Sequence, residues 1–152
     1  MSVFVILPAA GIGTRMASAS GADPKAAPKQ FLSLKGTPIL VHSLRAFLAV
    51  PEVSNIYVAV RESEKPRIDE LLAEYKLGSK ISVVTGGDSR QSSVANALSA
   101  LPSHSDDDIV LVHDAVRPLI DSATITRTIQ AIEKHGADNY LCRGLDQAAR
   151  RI

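Results

Sequence analysis

The stretch Val3-Phe4-Val5-Ile6-Leu7, running straight into Pro8-Ala9-Ala10-Gly11-Ile12-Gly13-Thr14-Arg15-Met16, decides the fold. An unbroken apolar run of this length reads as a strand buried on both faces, and the small residues after it read as a tight loop ending in a fixed positive charge. Glycine and alanine let backbone N–H groups come close to an anion, while a guanidinium always carries its charge and offers forked donors to phosphate oxygens. The order strand, small-residue loop, arginine predicts a nucleotide-phosphate site at the end of the first strand. The bland alternative is a βα turn whose glycines only allow packing and whose arginine is solvated.

Two familiar phosphate motifs do not fit this loop. A dinucleotide fingerprint wants glycine where Met16 stands and an acidic residue about twenty positions further on, where Lys35-Gly36-Thr37 lies instead. A Walker loop needs Gly-Lys followed by Ser or Thr, a triplet the chain lacks.

Outward from the first strand, short apolar runs alternate with helical patterns, the βα rhythm of an α/β fold with a mainly parallel sheet in three layers. Thr37-Pro38 offers an N-cap and a first-turn proline to a helix with Leu40, Leu44, Phe47 and Leu48 on its apolar face, which Pro51 ends. Strands are expected at Ile56–Val60, Ile81–Val84 and Ile109–Val112. Helices are expected over Ser63–Tyr75, over Gln91–Leu101, and from a cap at Asp121 or Ser122 to Gly136. The segment Ala17 to Pro28 is rich in Ala, Ser, Gly and Pro without periodicity, and reads as a mobile loop suited to a lid.

Composition sets the outer bounds. With 152 residues, 45% hydrophobic and 22% charged, the chain is an ordinary globular one with a single core. A formal net charge of +1 leaves no broad basic face for nucleic acid or an anionic membrane. Cys142, the one cysteine, excludes an internal disulfide and a thiol-built zinc site within one chain. Residues 2–11 are apolar, but no basic segment precedes them and glycine interrupts them too early for an export signal or membrane span. The expected compartment is cytoplasmic.

Ligands of open α/β sheets bind at the carboxyl ends of the strands, and three strand ends here carry polar or glycine-rich breaks: Ala9–Arg15, Gly86-Gly87-Asp88 and His113-Asp114. Pro28-Lys29-Gln30-Phe31 follows the first loop across the Ala17–Pro28 segment. An arginine and a lysine brought to one triphosphate would neutralise charge on the phosphate under attack and on departing pyrophosphate, which is the chemistry of nucleotidyl transfer.

Four blocks resemble the cytidylyltransferase family typified by 2-C-methyl-D-erythritol 4-phosphate cytidylyltransferase, with ribitol 5-phosphate cytidylyltransferases as close relatives. They are Leu7-Pro8-Ala9-Ala10-Gly11-Ile12-Gly13-Thr14-Arg15-Met16, Pro28-Lys29-Gln30-Phe31-Leu32, Gly86-Gly87-Asp88-Ser89-Arg90-Gln91-Ser92-Ser93-Val94 and Val112-His113-Asp114-Ala115-Val116-Arg117-Pro118. The resemblance implies transfer of CMP from CTP to the phosphate of a sugar alcohol, with release of pyrophosphate. It places Arg15 and Lys29 at the α-phosphate transition state, and amides of residues 9–15, among them Ala9, Ala10, Gly11 and Gly13, around the triphosphate. Gly87, Asp88 and Ser93 align with the cytosine pocket, Arg117 with the acceptor phosphate, and Asp114 with a Mg²⁺ ligand. Lys25 competes with Lys29 but lacks the Gln-Phe that follows it. Asp114 could instead simply pair with Arg117, and Gly86-Gly87-Asp88 could be a plain turn capping the next helix. His113 reads as a structural histidine.

The resemblance covers residues 1–137 as a nucleotide-binding core. Residues 138–152 depart from the family pattern, show little strand character and read as an atypical, truncated tail. The arm that pairs family subunits is not matched, so a family-like homodimer does not carry over. The alternatives that stay open are a ribitol 5-phosphate acceptor and a non-catalytic CTP-binding fragment.

Overall fold

The computed structural model describes residues 1–11, 28–102, 107–135 and the backbone of 147–149. In chain order the described elements are β1 (Val3–Pro8), a 3-10 turn at Lys29–Phe31, β2 (Ser33–Leu34), β3 (Thr37–Pro38), α1 (Ile39–Leu48) and β4 (Val53–Val60). A second 3-10 turn at Glu62–Glu64 leads into α2 (Lys65–Glu74), followed by β5 (Ile81–Thr85), α3 (Arg90–Ser99), β6 (Ile109–Val112), α4 (Ser122–His135) and β7 (Gln147–Ala149).

The main sheet has the order β5-β4-β1-β6-β7. Its first four strands are parallel, with Pro8 opposite Ala59 and Ile6 opposite Val112. Alternate β1 side chains divide between two cores, Val3, Val5 and Leu7 on one face and Phe4 and Ile6 on the other, which is why the run is apolar at every position. Leu40, Leu44 and Phe47 of α1, Ile68 and Leu71 of α2 and Ile125, Ile129 and Ile132 of α4 close the first core. Ala97 of α3, with Val94, Leu98 and Leu101, closes the second. Right-handed crossovers demand this split: steps from β1 to β4 to β5 put their helices on one face, and the return to β6 puts α3 on the other.

Two expectations need correction. Thr37 does not cap α1. Lys35 (φ 52°) and Gly36 (φ 78°) take the paired positive angles of a type I′ turn, so Thr37–Pro38 folds back on Ser33–Leu34. The first helical amide, Ile39 N–H, donates to Leu32 O at 2.9 Å, and no side chain caps the helix.

The second correction concerns residues 138–152, read as having little strand character. Gln147–Ala149 pairs antiparallel with Val110–Val112 of β6. Backbone groups of an exposed edge strand accept almost any extended segment, so the pairing needs no β-forming side chains. The lid reading of Ala17 to Pro28, apart from Pro28 itself, and the helix end at Gly136 lie outside the described residues.

Candidate functional site

Strand order reverses at β1, with β4 and β5 to one side and β6 to the other, and ligand crevices of open α/β sheets lie outside the carboxyl ends of the strands at such a point. The loop after β1 is held from three directions. Ala9 N–H donates to Ala59 O at 2.8 Å, Gln30 Nε2 donates to Ala9 O at 2.9 Å, and Arg61 Nε donates to Ala10 O at 3.1 Å. Ala9 therefore spends its amide on the neighbouring strand end and does not have it available for an anion. Gly11 is exposed, and a Cβ there would meet nothing within 4 Å among the described residues. Among the described residues, packing does not call for glycine at this position.

The 3-10 turn at Lys29–Phe31 sits against this loop because its inward side chains pin it. Gln30 is 2% exposed, and Phe31 is buried under the Arg67 guanidinium, 3.9 Å from the ring centroid. Lys29, half-buried, is thereby held one residue from the contact with Ala9.

The Gly86-Gly87-Asp88 loop after β5 reaches the same place across the end of β4. Gly86 N–H donates to Val60 O, and a Cβ on Gly86 would lie 2.6 Å from the Ala10 Cβ, so only glycine lets the two loops touch. A Cβ on Gly87 would lie 2.3 Å from Ser92 Oγ. Ser89 and Ser92 form a reciprocal capping box that starts α3. Ser93 is buried; its hydroxyl accepts from Gly87 N–H at 3.0 Å and donates to Ser89 O at 2.8 Å. Asp88 is exposed at the loop tip.

The turn after β6 completes the rim. Buried His113 bonds through Nε2 to Arg117 O at 2.9 Å, and since a carbonyl only accepts, Nε2 carries the proton. Ser43 Oγ of α1 donates to Ala115 O at 2.9 Å. The His113 bond ties the first residue of the turn to its fifth. Asp114 forms an ion pair with Arg117 Nε at 3.3 Å through one carboxylate oxygen and accepts a hydrogen bond from Arg90 Nε at 2.9 Å on the other.

Of the sequence-derived site residues, the structure brings Ala9, Ala10, Gly11, Lys29, Gly87, Asp88, Ser93, Asp114 and Arg117 to one end of the sheet. Gly13, Arg15 and Lys25 lie outside the described residues. Sequence reasoning passed over Gln30, Arg61 and Arg90. Arg90 left a signal: a cation in the first turn of a helix opposes the helix dipole, and such a placement asks for an acidic partner elsewhere.

The family described as IspD, 2-C-methyl-D-erythritol 4-phosphate cytidylyltransferase, matches residues 3–146. The chain belongs to this family. The match continues past residue 137, where the resemblance read from the sequence ends. Among relatives, the enzyme so named from Acidobacterium capsulatum is 58% identical over 137 residues, covering 90% of this chain and 56% of its own. That of Solibacter usitatus is 48% identical over 121 residues, covering 80% of this chain and 49% of its own. The chain therefore spans about half the length of these relatives. The crystal structure of the IspD protein from Francisella tularensis superposes with a TM-score of 0.72 at 26% identity, over 99% of this chain and 73% of that one. The 4-diphosphocytidyl-2C-methyl-D-erythritol synthase of Anaerococcus prevotii gives 0.69 at 26% identity, over 88% and 52%. No helix among the described residues is long and apolar enough to cross a membrane.

Proposed function

We propose that this chain carries the CTP-binding and CMP-transferring face of a 2-C-methyl-D-erythritol 4-phosphate cytidylyltransferase. One observation supports this above all: Gly86 against Ala10, with Arg90 on Asp114, joins the loops after β1, β5 and β6 at the switch point. A triphosphate lies on the amides from Ala10 onward. The acceptor phosphate oxygen attacks the α-phosphorus in line and pyrophosphate departs, while Lys29 and Arg15 neutralise the developing charge and Arg117 holds the acceptor phosphate.

Base choice follows from Ser93. Its proton is shared between two carbonyls, Ser89 O at 2.8 Å and Gly87 O at 3.3 Å, and one lone pair takes Gly87 N–H at 3.0 Å, so what the hydroxyl has left is a second lone pair. That suits the exocyclic amine of cytosine and leaves the corresponding carbonyl of uracil unpaired. Asp88 and the Gly87 backbone complete the reading of the base edge.

Asp114 would hold Mg²⁺. No group of three or more His, Cys, Asp or Glu residues suited to a metal occurs among the described residues, so the ion would take its remaining ligands from phosphate oxygens and water, which is the habit of Mg²⁺ at nucleotide sites. When bound it would supply positive charge at the phosphates. Each Asp114 oxygen already faces a guanidinium, so metal binding would release at least one of them to the phosphates.

Calorimetric titration with CTP and UTP in Mg²⁺, together with pyrophosphate release in the presence and absence of 2-C-methyl-D-erythritol 4-phosphate, tests the reading. CTP is expected to bind roughly tenfold or more tightly than UTP, and pyrophosphate to appear only with the acceptor. Equal affinity for the two nucleotides, or none for either, would overturn it.

A further inference from the structure

The loop after β1 has two carbonyls that accept from side chains arriving from other segments. Gln30 Nε2 donates both to Ala9 O at 2.9 Å and to the Glu64 carboxylate at 3.0 Å. Both acceptors can only accept, so the amide NH₂ must face them and the side chain has one permitted orientation. Arg61 Nε donates to Ala10 O at 3.1 Å. In a trans peptide the C=O and N–H point in opposite directions, so holding the Ala9 carbonyl aims the Ala10 N–H, and holding the Ala10 carbonyl aims the Gly11 N–H, away from Gln30 and Arg61. Ala9 N–H is taken by Ala59 O, whereas the Ala10 and Gly11 amides have no hydrogen-bond partner among the described residues.

We propose that Gln30, backed by Glu64, and Arg61 are positioning residues that lock these two peptide planes with their amides toward the phosphate-binding crevice. The proposal rests on the nucleotide reading above. An Ala-Ala-Gly segment has little side-chain bulk to stop a peptide from turning over, so its orientation has to be imposed from outside. Gln30 does this from a buried position, and being uncharged it acts on phosphate through geometry alone. Arg61 adds its charge, so its loss mixes orientation with Coulomb attraction. Glu64, at the head of α2, fixes Gln30 in turn, linking the segment that bears Lys29 to the phosphate loop.

The test titrates the full chain and its variants with CTP, inorganic tripolyphosphate and cytidine, following the Ala10 and Gly11 amide resonances by NMR. Gln30→Met is expected to weaken CTP and tripolyphosphate roughly tenfold while leaving cytidine within about twofold, because a misdirected amide loses a bond to a charged oxygen and the base pocket is untouched. Arg61→Met should behave likewise, and Arg61→Lys, which keeps a donor, should recover most of the loss. Should Gln30→Met not fold, Glu64→Ala reads the same effect in weaker form, roughly threefold on the phosphate ligands alone. Equal loss for cytidine and CTP, or unchanged CTP affinity in these variants, overturns the positioning role while leaving CTP binding intact. A parent chain that binds neither CTP nor tripolyphosphate overturns the nucleotide reading and this proposal with it.

Discussion

Asp114 shows what single residues conceal in a sequence. Its place at the end of an apolar strand marks it as needing a partner, and Arg117, three residues on, is the pair that proximity offers. Arg90, which approaches more closely, comes from 24 positions away and is visible only once β6 lies beside β1. Both ion pairs are partly solvated, so Arg90→Ala should cost less than about 1 kcal/mol in denaturant unfolding. Lys29 belongs to a different class. If it stabilises charge that develops only in the transition state, Lys29→Ala should lower kcat by roughly 10²-fold while KM for CTP moves only a few-fold, as pyrophosphate-release kinetics would show. A parallel rise in KM with kcat preserved would make it a ground-state contact.

At the scale of elements, the loop-to-loop contact at Gly86 is the most exposed to substitution. Its nearest neighbours are Ala10 Cβ, the buried Ser93 Oγ and the Ala59 backbone, none of which can swing aside as the end of a long side chain can. Gly86→Ala should therefore cost about 1–3 kcal/mol and weaken CTP binding by parting the two loops. Gly11→Ala, which meets open space, should leave the denaturant midpoint nearly unchanged. Helix starts were partly legible. Asp121 and Ser122 competed as the cap of α4, and the structure chooses Asp121, whose carboxylate accepts from Thr124 N–H at 2.7 Å. The cap assigned to Thr37 failed because turn chemistry at Lys35-Gly36 claimed that residue first. The Ser89–Ser92 capping box went unread because serine replaces the usual Glu or Gln at its third position.

Acid should weaken the molecule as a whole at two joints. The Thr85 hydroxyl, and then Lys65, hold the Glu62 carboxyl below its usual range, and the Thr124 backbone and side chain do the same for Asp121. Glu62 ties the loop after β4 to the end of β5, and Asp121 starts α4, which closes the larger core. A carboxyl depressed on folding contributes stability that is complete above its unfolded value, about 4, and is lost as the pH falls through its lower folded value. Denaturant midpoints at pH values from about 7 down to about 2 should therefore fall, and fall less in a Glu62→Gln, Asp121→Asn double variant. An identical acid slope in both proteins would remove these two groups as its cause.

The chain's own pattern was enough to determine an α/β fold, the places of its four parallel strands and the residue types at each strand end, because burial on both faces and loop chemistry are written locally. It also carried the four blocks of the family. Tertiary structure alone decided that the strand order reverses at β1, that Gln30 and Arg61 hold the carbonyls of the loop after β1, that Arg90 meets Asp114, and that a short alanine-containing segment pairs with the edge of β6. These are contacts between segments far apart in the chain. Their side chains look like ordinary solvated polar residues until the sheet brings their partners within hydrogen-bond reach, so no local period or spacing announces them.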